Sequence, residues 1–242
     1  MSAPPGDTPL LAFEGLTGGY GTTVVVRDVS GSVEPGEVLC VLGRNGVGKS
    51  TLMRLLSGHL SCRAGAIRLG GEDVTRLSAS RRSRRGLSYG PQERVVFDNL
   101  SVADNLRLRA GGRGVGGGGT DERLDIYFEA FPVLGKRLRQ HAGTLSGGER
   151  KILSFVRCLA EDQPLILLDE PTEGVQFENI ERMHTFIATA RAGGTAFVIV
   201  EQHVAFALSI ADRLLVMDQG HTVLQATAAE VDRERLLGYL QV

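Results

Sequence analysis

Gly43, Gly48, Lys49 and Ser50 spell G-x-x-x-x-G-K-S, with a further glycine, Gly46, inside the variable stretch. The run follows apolar residues 38–42 and precedes a helical pattern, residues 51–56. Strand, glycine turn and helix are the setting in which this spacing cradles phosphate. Gly46 and Gly48 let the backbone curl until successive N–H groups face phosphate oxygens, and the helix start adds partial positive charge. Lys49 can reach β- and γ-phosphates, and the Ser50 hydroxyl can ligate Mg²⁺. The substrate class implied is a nucleoside triphosphate.

Two other groups bear on the same chemistry. Residues 165–168 are an apolar strand that ends in Asp169 and Glu170. In a parallel sheet, ligands sit beyond the carboxyl ends of the strands. Asp169 would hold Mg²⁺ through its water shell, and Glu170 would orient and polarise the water that attacks the γ-phosphate. Leu145, Ser146, Gly147, Gly148 and Glu149 open a helix, with a serine at the N-cap position and apolar Ile152, Leu153, Val156 and Leu159 following. This is a second glycine-rich anion site. One triphosphate does not need two cradles, but a second copy facing another molecule's P-loop would use both.

The elements must bring these groups together. Four short apolar runs, 38–42, 165–168, 196–200 and 214–217, alternate with helical patterns and predict a mostly parallel sheet with covering helices. A weaker strand, Leu87–Tyr89, leads to Gln92. Segments 10–14, 22–33 and 66–69 read as strands of a small antiparallel layer. Residues 1–9 read as a flexible tail and 10–242 as one domain. Between 93 and 162 the strand signal gives way to a helical insertion holding a glycine-rich spacer, 111–119, read as a mobile surface loop. Residues 80–85, rich in arginine, read as a solvated helix face rather than a nucleic-acid patch.

Bulk properties narrow the class. The 242 residues are 42% hydrophobic, enough for a sizeable core, and the formal net charge of −1 offers no field for nucleic acid. Tryptophan is absent and aromatics are 5%, so stacking platforms for bases are scarce. Cys40, Cys62 and Cys158 lack metal-ligand spacing and read as reduced thiols of a cytosolic protein. No apolar stretch nears the roughly 18–20 residues of a membrane span, and the N-terminus lacks a signal pattern, so a membrane role would run through a partner.

The order P-loop, Gln92, Leu-Ser-Gly-Gly-Glu, Leu-Leu-Asp-Glu-Pro-Thr resembles the ATP-binding cassette (ABC) ATPases over residues 10–240. The resemblance implies an α/β P-loop fold with a mostly parallel core, an antiparallel β layer and a helical subdomain. It implies a dimer that sandwiches two ATP molecules, with Mg²⁺, between one subunit's P-loop and the other's signature. Tyr20 matches the aromatic that stacks on adenine. Gly43, Asn45, Gly46, Gly48, Lys49, Ser50 and Thr51 match the phosphate-binding loop. Gln92 matches the glutamine that senses Mg²⁺ and links the helical insertion to a membrane partner, so the metal set is Ser50, Gln92 and Asp169. Ser146, Gly147, Gly148 and Glu149 match the segment that meets the opposite ATP, and Glu170 matches the catalytic base.

Two positions depart from the family pattern. Where a histidine usually contacts the γ-phosphate, Gln202 stands, with His203 one place later. A slip of one residue on a strand end turns a side chain to the opposite face, which favours Gln202 as the contact. The segment after Glu170 ends in Gln176 rather than Asp. Both changes favour a heterodimer with a second ABC ATPase over a homodimer.

Within the family, the segments around Glu170, Gln202 and Phe131 resemble the second ATPase subunit of branched-chain amino-acid importers and the related urea or short-amide subunits, with amino acids preferred. The resemblance implies two transmembrane permease subunits, a solute-binding protein and a place at the cytoplasmic face of the cell membrane, with no direct nucleic-acid contact. Readings of another class are a soluble ABC ATPase acting on nucleic acid or ribosomes, and a P-loop kinase. The first usually carries two cassettes or long arms, and the second has no use for Leu-Ser-Gly-Gly-Glu.

Overall fold

The computed structural model describes residues 8–93, 95–108 and 124–240. Most of the expected N-terminal tail and the whole glycine-rich stretch 111–119 lie outside the described residues. The core is a six-stranded sheet in the order β10-β9-β3-β8-β7-β6. Its strands are β3 (Val38–Leu42), β6 (Leu87–Gly90), β7 (Leu165–Asp169), β8 (Ala196–Val200), β9 (Arg213–Asp218) and β10 (His221–Thr227). All pairs are parallel except β10 with β9. A second, antiparallel sheet, β2-β1-β4-β5, holds β1 (Leu11–Gly18), β2 (Val26–Val33), β4 (Ala64–Leu69) and β5 (Glu72–Asp73).

Every residue of β3, β7 and β8 is buried, as unbroken apolar runs require in a sheet covered on both faces. Alternation divides them between two cores. Val38, Cys40 and Leu42 pack with Ile166, Leu168, Phe197 and Ile199 against the helical side. Leu39 and Val41 pack with Leu165, Leu167, Val198 and Val200 against the antiparallel sheet and helix α1 (Lys49–Ser57). The helical side carries α6 (Gly147–Ala160), α7 (Phe177–Ala192) and α8 (Val204–Ile210). The shorter α3 (Val102–Arg107), α4 (Asp125–Ala130) and α5 (Pro132–Lys136) join them in the chain between β6 and β7.

Two readings of the sequence shift. Strand β2 begins at Val26, not at 22, because residues 20–23 close a turn in which the Thr23 N–H donates to the Tyr20 carbonyl at 2.8 Å. The arginine-rich run is not wholly a solvated face. Arg82, on the short helix α2 (Ala79–Ser83), is 1% exposed. It donates to the carbonyls of Leu55 and Leu56 (both 2.7 Å), Thr75 (2.9 Å) and Leu77 (3.1 Å). It thereby satisfies carbonyls that the C-terminus of α1 leaves without helical partners.

The parallel order decides where the site lies. β3, β6, β7 and β8 end on the same edge, and each runs into one piece of sequence singled out above: the P-loop, Gln92, Asp169–Glu170 and Gln202. Among the described residues, no helix is long and apolar enough to cross a membrane.

Candidate functional site

Helix α1 starts from Gly48, whose φ of 110° lies in the left-handed region, as does that of Gly46 at 81°. No side chain caps this helix and no acidic residue sits in its first turn. Its first N–H groups therefore face outward without helical partners. They border a cavity of about 300 Å³ lined by Asn45, Gly46, Lys49, Ser50, Thr51, Gln92, Glu170 and Gln202, among others. An uncapped helix N-terminus at an open, polar cavity fits a phosphate.

Lys49 is 4% exposed and folds back over its own loop, donating from Nζ to the carbonyls of Gly43 (2.7 Å) and Arg44 (2.9 Å). Its ammonium is 4.0 Å from Glu170 Oε1. Burial lowers the Lys49 pKa, and Glu170 and then Asp169 oppose that shift.

Three oxygen groups converge beside it. The Ser50 hydroxyl donates to Asp169 Oδ1 at 3.2 Å and to Gln92 Oε1 at 3.4 Å. Burial pushes the Asp169 carboxyl up to about 6, the Ser50 hydrogen bond pulls it down, and neighbouring Glu170 raises it again. A hydroxyl, an amide oxygen and one carboxylate form a set of hard oxygen donors. Among the described residues no cluster of three His, Cys, Asp or Glu side chains is placed to hold a metal. The set fits Mg²⁺, which keeps several waters and uses one or two carboxylates together with substrate phosphates.

Glu170 follows β7 in an uncommon conformation, with φ of 49° on a non-glycine residue. Its N–H donates to the Val200 carbonyl at 2.9 Å, and its Oε2 accepts from Gln92 Nε2 at 2.8 Å. Gln92 thus spans the metal set on one side and the Glu170 carboxylate on the other. Gln202 lines the same cavity. His203 lines only a neighbouring cavity, which Glu170 and Gln202 also border.

Two groups named from the sequence, Tyr20 and the segment from Ser146 to Glu149, lie apart from this cavity. Tyr20 is 44% exposed, and its hydroxyl accepts from Arg54 at 3.1 Å, with the Arg54 guanidinium 6.0 Å from the ring centre. Ser146 and Glu149 form a reciprocal cap at the start of α6. The Glu149 N–H donates to Ser146 Oγ (3.3 Å) and the Ser146 N–H to Glu149 Oε2 (2.9 Å). Gly147 faces open space. A Cβ on Gly148 would stand 2.4 Å from the Gly174 carbonyl, so the first turn of α6 touches the loop that follows Glu170.

Several residues that support the site went unmarked in the sequence. The Glu201 carboxylate, 2% exposed, accepts from the Thr172 hydroxyl (2.8 Å) and N–H (3.2 Å) and from the N–H groups of Gln202 (3.1 Å) and His203 (3.4 Å). It ties the end of β8 to the loop after Glu170. Burial raises its pKa, and these hydrogen bonds oppose that. Lys151 donates to the Glu170 carbonyl at 2.9 Å. A carboxylate directly after the apolar run 196–200 was the available signal for Glu201; Lys151 gave none.

Residues 26–173 match the family model described as ABC transporter. The chain is 36% identical over 225 residues to the high-affinity branched-chain amino acid transport ATP-binding protein BraG of Pseudomonas aeruginosa, covering 91% of this chain and 94% of that protein. It is 34% identical over 223 residues to the lipopolysaccharide export system ATP-binding protein LptB of Escherichia coli K12, covering 91% and 92%. A solved ATP-binding subunit of an ABC transporter superposes with a TM-score of 0.80 at 26% identity, over 96% of this chain and 95% of that one. The chain belongs to the ABC transporter family, and is an ATP-binding, ATP-hydrolysing subunit of it.

Proposed function

We propose that this subunit powers an importer of branched-chain or other hydrophobic amino acids. The observation that carries the reading is its similarity to BraG over 91% of the chain. The convergence of Lys49, Ser50, Gln92, Asp169, Glu170 and Gln202 at one sheet edge supports the site roles. The similarity to LptB favours a second reading, export of a lipid-linked solute.

ATP binds with its phosphates on the uncapped start of α1. Lys49 leaves the Gly43 and Arg44 carbonyls for the β- and γ-phosphates. Ser50, Gln92 and Asp169 would hold Mg²⁺, which when bound neutralises phosphate charge. Glu170 accepts the proton of the attacking water, and Gln202 hydrogen-bonds the γ-phosphate or that water. Tyr20 stacks on adenine after parting from Arg54. Ser146, Gly147, Gly148 and Glu149 meet the ATP held by a second ABC ATPase subunit, preferred over a second copy because of Gln176 and Gln202.

Residues 10–242 act as one ATPase domain whose helical part, about 93–162, pushes on two transmembrane permease subunits at the cytoplasmic face of the membrane. A solute-binding protein of the same system selects the cargo. Mild-detergent capture of the tagged chain from its own cells, with mass spectrometry, tests this assembly. Two multi-span proteins and a second cassette ATPase are expected. Capture of only soluble proteins or nucleic acid would overturn it.

A further inference from the structure

The start of α6 meets the loop after Glu170 at two points one helical turn apart. At Gly148 the backbones approach so closely that a Cβ would lie 2.4 Å from the Gly174 carbonyl. Three residues on, on the same helix face, Lys151 reaches past that contact to the Glu170 carbonyl at 2.9 Å and lies 3.7 Å from Glu173 Oε2. The Lys151 side chain is only 10% exposed. A buried ammonium is costly unless it is paired and hydrogen-bonded. Its hydrogen-bond acceptor is the main chain of the one residue at this edge held at φ of 49°.

A non-glycine residue in the left-handed region persists when its surroundings over-determine it. Glu170 is fixed from both sides. Val200 of β8 accepts its N–H, and Lys151 of α6 donates to its carbonyl. The other hydrogen bond to that carbonyl, from the Glu173 N–H, is long at 3.4 Å.

We propose that Lys151 is a positioning residue for Glu170. By holding the Glu170 carbonyl from the start of the second turn of α6, it makes the aim of the Glu170 carboxylate depend on where the N-terminal end of that helix sits. The turn before it carries Gly147 and Gly148, so a ligand that moves this end of the helix re-aims Glu170. The proposal rests on Glu170 being the base that activates water.

The test uses the full chain isolated with its bound partners, comparing wild type, Lys151→Met, Lys151→Arg and Glu170→Gln. Steady-state kcat and KM for ATP, binding of a fluorescent ATP analogue and the thermal midpoint are measured. Lys151→Met is expected to lower kcat about tenfold to a hundredfold, the range a misplaced group costs. KM and analogue affinity stay within about twofold of wild type, and Lys151→Arg, which keeps a cationic donor, recovers most of kcat. Unchanged kcat in Lys151→Met would overturn the proposal. So would kcat and affinity falling by one common factor, or failure of Lys151→Arg to recover. If Lys151→Met does not fold, Lys151→Gln takes its place with the same expectations, since it keeps a polar head too short to reach the carbonyl. Turnover retained in Glu170→Gln would remove Glu170 as the base. Turnover lost there but intact in Lys151→Met would remove only the positioning role.

Discussion

Burial pushes the Asp169 carboxyl up to about 6, from an ordinary value of 3.8, and the sign of its effect on stability follows. Between those two values the folded chain holds a proton that the unfolded chain has released. Stability is therefore lost as pH rises through this window, and above about 6 the full penalty of a buried charge remains. Asp169→Asn removes the charge and keeps an oxygen for the Ser50 hydroxyl. Without nucleotide or magnesium it is expected to be more stable than wild type at pH 8, by roughly 1–3 kcal/mol, with a smaller gain at pH 5. Thermal midpoints at the two pH values check this; a gain larger at pH 5 would contradict it. Gln202 and His203 make a second contrast at this scale. Gln202 lines the cavity with Lys49 and Ser50, whereas His203 lines only its neighbour. Gln202→Ala should lower kcat about tenfold or more, and His203→Ala should cost less, by side-by-side ATPase assay. The reverse order would move the γ-phosphate contact to His203. Chemistry was legible in the sequence where a motif packs its residues together, as from Gly43 to Ser50 or at Asp169 and Glu170. It was not legible for Lys151, whose acceptor is a main-chain carbonyl 19 residues away, because main-chain acceptors leave no trace in side-chain identity.

Elements were readable in proportion to their burial. β3, β7 and β8 announce themselves because each residue is apolar and buried. β10 did not, since it alternates exposed and half-buried residues along a polar edge, and only its antiparallel register with β9 makes it a strand. Arg82 was misread for a related reason: an arginine run looks solvated until the fold places one member under the end of α1. Replacing it strips donors from four carbonyls in a buried setting. Arg82→Ala should destabilise the chain by about 2–4 kcal/mol, read as a lower urea midpoint. Because Arg82 lies outside the ATP cavity, activity per folded molecule should hold. An unchanged midpoint would show that the α1 terminus does not depend on it.

At the scale of the whole molecule, the nucleotide edge and the helical layer belong to one body. α6 starts against the loop after Glu170 and buries Ile152, Leu153, Phe155 and Val156 in the helical core. Arg137, at the end of α5, bonds Glu149 in the first turn of α6 at 3.1 Å. Under the proposal above, a shift of the start of α6 would be felt both at Glu170 and in the short helices beyond it. Under the proposed function, any push on a membrane partner would run through that linkage. The fold follows from the sequence because unbroken apolar runs mark its strands, and the candidate ATP site was legible where its motifs are contiguous. The cavity residues Lys49, Ser50, Gln92, Glu170 and Gln202 suit phosphate and water chemistry and carry no information about a transported solute. The most direct test of the account is uptake of labelled leucine by cells in which the native chain is replaced by Glu170→Gln, with ATP binding measured on the purified variant. ATP is expected to bind still, while leucine uptake falls to the level of cells lacking the chain. Leucine uptake at the wild-type rate would contradict it.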